Sequence, residues 1–135
     1  MRFSTWHPIT YTLSIFVHRL IRRVHLFGRP LARQRSKVDL SFRVARHQSV
    51  LLRKLGNADM RLQQNKIINL RLAAQAIDGV LIQPDETVSF WSLVGNPTKR
   101  CGYVSGMLLS NGNVTEGIGG GLCQMANILY WMALH

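Results

Sequence analysis

Hydrophobic residues recur at steps of three and four in two stretches of the chain, a spacing that places them on one face of a helix. The first stretch predicts an amphipathic helix over residues 11–27, ended by Gly28 and Pro30. The second predicts a longer helix over residues 60–77, which we expect to be largely buried because its apolar residues cover more than one stripe. Its amide side chains are expected on the helix surface, with lining a site as the alternative: Gln63, Gln64, Asn65 and Asn69.

The pattern changes to alternation and turn residues beyond residue 80. Residues 80–82 and 87–91 predict two short strands. Pro84 and Asp85 lie between them and predict a turn. A basic connector precedes the long helix and carries two weaker signals, a short strand over residues 40–44 and a short helix over residues 49–55.

The last part of the chain combines a hairpin signal with a glycine-rich loop. Two strands within residues 104–116 flank Asn111 and Gly112, a dipeptide that favours a type I′ turn because both positions need positive φ. Residues 117–121 are mostly glycine, and an apolar helix follows from Leu122 to the end. No stop signal follows that helix, so we expect a buried helix in a domain that continues beyond this chain.

These elements predict an α+β fold. It contains an N-terminal basic amphipathic helix, a long buried helix and a small antiparallel sheet with an Asn-Gly hairpin, and a Gly-rich loop leads into the C-terminal apolar helix. Charge divides the same chain in two. Residues 1–54 hold twelve Lys and Arg against one acid, whereas residues 55–135 hold five of each. This asymmetry predicts a basic N-terminal arm joined to a neutral globular segment.

The basic arm favours an anionic partner. One partner is an anionic membrane surface, contacted by Arg19, Arg22 and Arg23 while the apolar face enters the headgroup region. Nucleic acid is disfavoured, because no recognised fold or basic strand with interleaved aromatic residues supports it. The remaining alternative is a solvated helix packed on its own domain. Residues 3–18 are too short and polar to span a membrane and lack a cleavage site, so we expect a cytoplasmic protein, at the inner face of the membrane if the arm binds lipid.

Candidate chemistry lies where the glycine-rich loop meets the last helix. Free N–H groups at a helix start bind anions and favour the reactive thiolate form of a cysteine. Cys123 is therefore a candidate nucleophile, Gln124 a candidate oxyanion donor and Asn127, one turn further on the same face, a third candidate. Consecutive glycines let a ligand approach the backbone. The candidate ligand-binding residues are Gly119, Gly120 and Gly121.

A general base for this thiol is missing from the same helix. His135 lies twelve residues beyond Cys123, roughly 18 Å along a straight helix. A structural alternative also stands, in which the cysteine is a small buried hydrophobe and the glycines allow tight packing. Cys101 and Cys123 are too few for a disulfide framework, and no zinc motif occurs, so neither a metal nor a cofactor is predicted.

Four segments resemble the VanW family of bacterial proteins, which accompany some vancomycin-resistance systems. Residues 64–73 look like the long helix of that family, and residues 84–91 (PDETVSFW) are similar to its PGETFSFW strand, with Asp and Val at two positions. Residues 102–103 match its GY dipeptide and residues 119–124 (GGGLCQ) its GGGxCQ motif. The resemblance is strongest over residues 57–134 and extends back to about residue 47. It therefore implies a basic arm over residues 1–46 and a VanW-like domain over residues 47–135 that is incomplete at its C-terminus.

The resemblance implies an association with the Gram-positive cell envelope and glycopeptide resistance. Family members continue past this point with further His and Arg residues, which would be the natural partners of Cys123, and Cys101 stands where a basic or polar residue is expected. The resemblance implies no particular reaction. The thiol at a Gly-rich helix start leads to the hypothesis that the full-length form is a Cys-dependent acyl or peptidyl transferase or hydrolase. The alternative is a non-catalytic module that binds an anionic cell-wall precursor or the membrane surface.

Overall fold

The computed structural model has the α+β fold that the residue pattern predicts. It describes residues 8–36, 40–52, 59–110 and 113–135. In this part of the chain the elements are helices α1 (Pro8–Leu26), α2 (Met60–Ile77), α3 (Phe90–Val94) and α4 (Leu122–Leu134), and strands β1 (Ser105–Ser110) and β2 (Asn113–Ile118). They divide into two units, one comprising Met1–Ala32 and Ile82–Val88 and the other Arg33–Leu81 and Ser89–His135. The boundary predicted at residue 46 stays a prediction.

The first unit contains α1, which confirms the predicted N-terminal helix and begins three residues earlier. Pro8 suits the first helical position because its fixed φ is helical and its missing N–H would have no partner there. After the helix the chain forms an isolated parallel bridge between Leu31 and Thr87. The predicted turn is also confirmed. Asp85 has a φ of 66°, which explains why the related motif carries glycine at this place and why Asp is tolerated.

The two strands predicted around that turn are wrong. Val80 makes only an isolated bridge with Arg35, and residues 90–94 form α3 instead of a strand. The helix forms because its spacing turns Phe90 and Val94 toward the core, whereas Val88, the expected partner of Phe90 on a strand face, is 45% exposed. Residues 40–44 form no strand, and the described residues 49–52 are not helical; residues 53–55 lie outside the described part.

The long helix α2 has the predicted bounds. Asp59 caps its N-terminus, since its carboxylate accepts a 2.8 Å hydrogen bond from the N–H of Arg61. This backbone hydrogen bond is the main reason that the pKa of Asp59 is lowered. Arg61 also lies 3.3 Å from the Glu116 carboxylate on β2, and both partners are exposed. At the C-terminus the N–H of Asp78 bonds the carbonyl of Ala74 at 2.8 Å.

The second unit has a small apolar core that joins α2, α3 and α4. Its buried members are Ala73, Val94, Tyr103 and Leu122, and partly buried residues such as Phe90 pack around them. Burial raises the pKa of the Tyr103 hydroxyl, and the Cys101 thiol adds to this shift.

The expectation that the amides of α2 lie on its surface is wrong for two of them. Gln63 and Asn69 are fully buried and Lys66 is nearly so, whereas Ile68 on the same helix is exposed. The reason is that α2 packs on β1 and on the glycine turn, where backbone groups need polar partners.

The hairpin confirms the predicted antiparallel pair. Ser105 pairs with Ile118 at one end and Ser110 with Asn113 at the other. The predicted type I′ turn at residues 111–112 lies outside the described residues. Helix α4 begins at Leu122 as expected, but it is not buried along its length, because Leu122 is its buried residue while Tyr130 is 68% exposed. Within the described ranges, no helix combines the length and the apolar character of a membrane span.

Candidate functional site

The glycine turn before α4 is tightly packed. A Cβ atom on Gly120 would collide with the backbone of Gly106 on β1, and one on Gly121 would collide with the side chain of Lys66. Gly121 also has a φ of 94° as the N-cap of α4, a conformation that L residues rarely adopt. Close packing therefore accounts for the glycines. Their role in ligand binding stays a prediction.

Two asparagines of α2 hold this turn against the start of β1. The amide of Asn69 donates to the carbonyls of Val104, at 3.0 Å, and Gly120, at 2.9 Å. Its oxygen accepts a 2.9 Å hydrogen bond from the N–H of Val104. One turn earlier, Asn65 donates to the carbonyl of Ser105 at 2.6 Å. The two side chains thus take the place of a neighbouring strand at this edge.

Cys123 is the second residue of α4, and its thiol is exposed and free. This exposure argues against the alternative in which Cys123 is a small buried hydrophobic residue. The N–H groups of Leu122 and Gln124 are engaged by the carbonyls of Gly119, at 3.4 Å, and Gly121, at 3.0 Å. In the described part of the chain, the N–H of Cys123 makes no hydrogen bond, so it can stabilise an anion held beside the sulfur.

The thiol opens into a cavity of about 440 Å³ beside α4. This size falls in the usual range for small-molecule sites. Residues from α2, β1, α4 and the connector line it: His47, Ser49, Val50, Lys66, Met107, Cys123, Gln124, Asn127, Ile128 and Trp131.

The cavity thus brings together the three residues predicted from the last helix, Cys123, Gln124 and Asn127. The side-chain amide of Gln124 donates a 2.9 Å hydrogen bond to the Ser49 hydroxyl. This bond ties the connector to α4 and engages part of the predicted oxyanion donor. The Gln124 amide is thus engaged, whereas the N–H of Cys123 makes no hydrogen bond among the described residues.

Two basic residues that line the cavity, Lys66 and His47, were not among the site residues predicted from the sequence. Lys66 is only 6% exposed and packs its aliphatic stem against Gly121, while its side chain lines the cavity. The sequence could have indicated its position, because Lys66 lies three residues from both Gln63 and Asn69 and residues at this spacing share one face of a helix. His47 lies in the connector, and its ring is 4.5 Å from that of Trp131. No local pattern could have placed it there.

The other predicted residues are not part of the cavity lining. Cys101 is exposed at the end of a short 3-10 helix, where the Thr98 hydroxyl lies 3.2 Å from its sulfur. Arg19 and Arg23 are exposed on α1 and Arg22 is partly buried. The ring of His135 stacks on Trp131 at 4.2 Å. Among the residues that the structure describes, no group of three side chains could hold a metal ion.

The described residues thus form an α+β unit in which amides of α2 hold a glycine turn, and the helix after this turn begins with an exposed thiol. Residues 65–135 match the family described as VanW like protein, which is more than half of this chain. The chain therefore belongs to the VanW family, and the resemblance of its motifs is confirmed.

Two curated relatives match part of the chain. Over 77 residues the chain is 49% identical to the vancomycin B-type resistance protein VanW of Enterococcus faecalis, covering 57% of this chain and 28% of that protein. Over 62 residues it is 42% identical to the uncharacterized protein YoaR of Bacillus subtilis, covering 46% of this chain and 20% of that protein. The chain thus spans less than a third of the length of either relative. No solved structure matches it.

Proposed function

We propose that the cavity beside α4 is a thiol-dependent acyl-transfer site, with Cys123 as the nucleophile, that acts on a component of the cell envelope in the full-length protein. The observation that carries the proposal is the exposed thiol of Cys123 on the first turn of α4, at a cavity that His47 also lines. The name of the Enterococcus relative, a vancomycin B-type resistance protein, supports the envelope context.

In the proposed reaction a base takes the proton of the thiol, and we assign this role to His47 because it lines the same cavity as Cys123. His47 accepts the thiol proton, and the sulfur of Cys123 forms a bond to the carbonyl carbon of the acyl group. The N–H of Cys123 holds the oxyanion that results. When the intermediate collapses, the bond from the carbonyl carbon to the leaving nitrogen or oxygen breaks, and the leaving group takes the proton from His47. Water or an acceptor amine or hydroxyl then releases the acyl group from sulfur.

Acylation by p-nitrophenyl acetate tests the nucleophile. The thiolate takes the acetyl group and releases p-nitrophenolate, so the product is an acetyl thioester that mass spectrometry assigns to a residue. We expect the thioester on Cys123 to form at least about tenfold faster than on Cys101, a difference of about 1.4 kcal/mol in activation free energy. Cys101 is the matched control because it is also exposed but lies outside the cavity. Equal rates at both positions would refute an activated thiol.

The variants Cys123→Ser and Cys101→Ser separate this reaction from unspecific acylation. The first should remove the fast phase of p-nitrophenolate release, and the second should leave it in place. If Cys123 is unreactive but small ligands still occupy the cavity, the non-catalytic binding module is the correct function.

The exposed apolar face of α1 supports a second candidate function, binding to an anionic membrane at its inner face. Phe16 is 63% exposed, and its neighbours on the face are exposed too: Leu13, Val17, Leu20, Ile21 and Val24. Arginines follow on the same helix, which suits anionic headgroups. We expect the chain to float with vesicles that contain anionic lipid, and Phe16→Ser to weaken flotation. This function would be excluded if the chain floated equally well with neutral vesicles, or if it did not float with anionic vesicles.

A further inference from the structure

We infer that Gln124 and Trp131 are positioning residues that hold His47 in the cavity beside α4. In this role the Gln124 amide acts through the Ser49 hydroxyl and is not an oxyanion donor. The inference rests on the proposed function, since it explains how the base of the same site is kept in place.

The segment that carries His47 has little backbone structure to fix its position. Residues 42–50 contain no helix or strand, and His47 is exposed. Among the described residues, no backbone hydrogen bond joins this segment to another part of the chain. The place of His47 in the cavity lining therefore depends on side-chain contacts.

Two side-chain contacts join this segment to α4. The amide of Gln124 donates a 2.9 Å hydrogen bond to the hydroxyl of Ser49, and both residues are partly buried. The ring centroids of His47 and Trp131 are 4.5 Å apart. Because Ser49 is only two residues after His47, the two Cα atoms are separated by no more than about 7 Å of chain. A bond that fixes Ser49 therefore restricts His47 as well.

The two α4 residues that make these contacts lie on one face of the helix. Gln124 and Trp131 are seven residues apart, which is close to two helical turns. Ile128 lies between them on this face and lines the same cavity. Cys123 directly precedes Gln124 in the first turn, so the helix that carries the thiol also presents a hydrogen-bond donor and an aromatic ring to the segment of the base.

Replacement of Ser49 distinguishes the two roles of Gln124. Ser49→Ala removes the acceptor of the hydrogen bond and leaves the Gln124 amide in place. The rate of acetylation of Cys123 by p-nitrophenyl acetate is measured by peptide mass spectrometry. If Gln124 acts through Ser49, this rate should fall about twofold to tenfold, the range for the loss of one hydrogen bond, and Ser49→Thr should retain it because threonine keeps the hydroxyl. A rate that is unchanged or higher in Ser49→Ala is the result expected of an oxyanion donor released from Ser49, and it would overturn the inference.

Gln48→Ala is the matched control, because Gln48 is exposed in the same segment and is not part of the cavity lining. This variant should leave the acetylation rate of Cys123 unchanged. In a His47→Gln background, Ser49→Ala should have little further effect, since the base that Ser49 positions is already lost. Losses that add in the double variant would show that Ser49 acts independently of His47, against the inference.

The aromatic contact is tested in the same assay. Trp131→Phe keeps an aromatic ring beside His47 and should retain most of the acetylation rate of Cys123, whereas Trp131→Ala should lower it about twofold to tenfold. An unchanged rate in Trp131→Ala would remove the positioning role of Trp131.

Nuclear magnetic resonance of the His47 ring reports its position without any reaction at the thiol. The ring current of the Trp131 indole should displace the His47 ring protons from their unfolded-chain shifts, and His47→Gln identifies these signals because they disappear. Ser49→Ala and Gln124→Ala should each move them toward the unfolded-chain values, and Gln48→Ala should not. Unchanged shifts in the first two variants would overturn the inference.

The two measurements distinguish failure of the inference from failure of the proposed function. If Cys123 is acetylated no faster than Cys101 in the unaltered chain, the proposed function fails, and the His47 shifts still decide whether α4 holds this ring. If Cys123 is acetylated fast and Ser49→Ala changes neither the rate nor the shifts, the inference fails and the proposed function stands.

Discussion

Replacement of Asn69 by alanine should destabilise the domain strongly, because this side chain has no solvent exposure and makes three hydrogen bonds to backbone groups. Asn69→Ala removes them together. The carbonyl of Val104 keeps a partner, since it also accepts from the N–H of Gly119 at 3.1 Å. The N–H of Val104 and the carbonyl of Gly120 are left buried without one.

The magnitude follows from those two backbone groups. A buried donor or acceptor that loses its partner costs about 1–3 kcal/mol. Alanine returns about 0.5 kcal/mol through its higher helix propensity. We therefore expect Asn69→Ala to lower the free energy of unfolding by about 2–5 kcal/mol. Asn65→Ala should cost about 1 kcal/mol, because that side chain is half-buried and makes a single hydrogen bond to Ser105.

Urea unfolding followed by far-UV circular dichroism measures these differences. Gln64→Ala is the matched control, since Gln64 is an exposed amide on the same helix and should change stability by less than about 0.5 kcal/mol. The result that refutes the reasoning is an Asn69→Ala variant within about 1 kcal/mol of this control. Because Asn69 also holds Gly120, its loss should alter the alkylation rate of Cys123 in protein that is still folded.

Three further predictions concern the cavity, acid stability and the buried face of α2. His47→Gln should lower the alkylation rate of Cys123 at neutral pH severalfold, whereas His135→Gln, outside the cavity lining, should leave this rate unchanged. Equal effects of the two variants would remove the role of His47. The pKa of Asp59 is lowered mainly by the hydrogen bond from the Arg61 N–H. The ionised carboxylate therefore stabilises the fold above the pKa that Asp59 has in the unfolded chain, and this stabilisation is lost as the pH falls through its pKa in the folded chain. Asp59→Asn should accordingly show a smaller fall in urea midpoint between about pH 7 and about pH 3. Within the described chain the oxygen of Gln63 is buried without a hydrogen-bond partner, so Gln63→Met should raise the free energy of unfolding by about 1 kcal/mol, and a loss of stability would contradict this.

The elements that were predicted correctly carry strong local signals. The period of α1 and α2 and the caps of α2 depend on residues close in sequence, and so does the hairpin around residues 111–112. Over residues 87–91 the local sequence pattern predicted a strand that the structure does not contain. The alternation of Val88 and Phe90 fits a strand, but Phe90 and Val94 pack as one helical turn in the core.

The amino-acid sequence by itself determined the family, the α+β class and the position of Cys123 at the start of a helix, since motifs and periodicity are properties of neighbouring residues. Tertiary structure alone decided that Asn69 is buried, because only the packing of α2 on the glycine turn presents it with unpaired backbone groups. It also decided which groups share the cavity. His47 and Lys66 are distant from Cys123 along the chain, and the packing of the connector and of α2 against α4 brings them to one space.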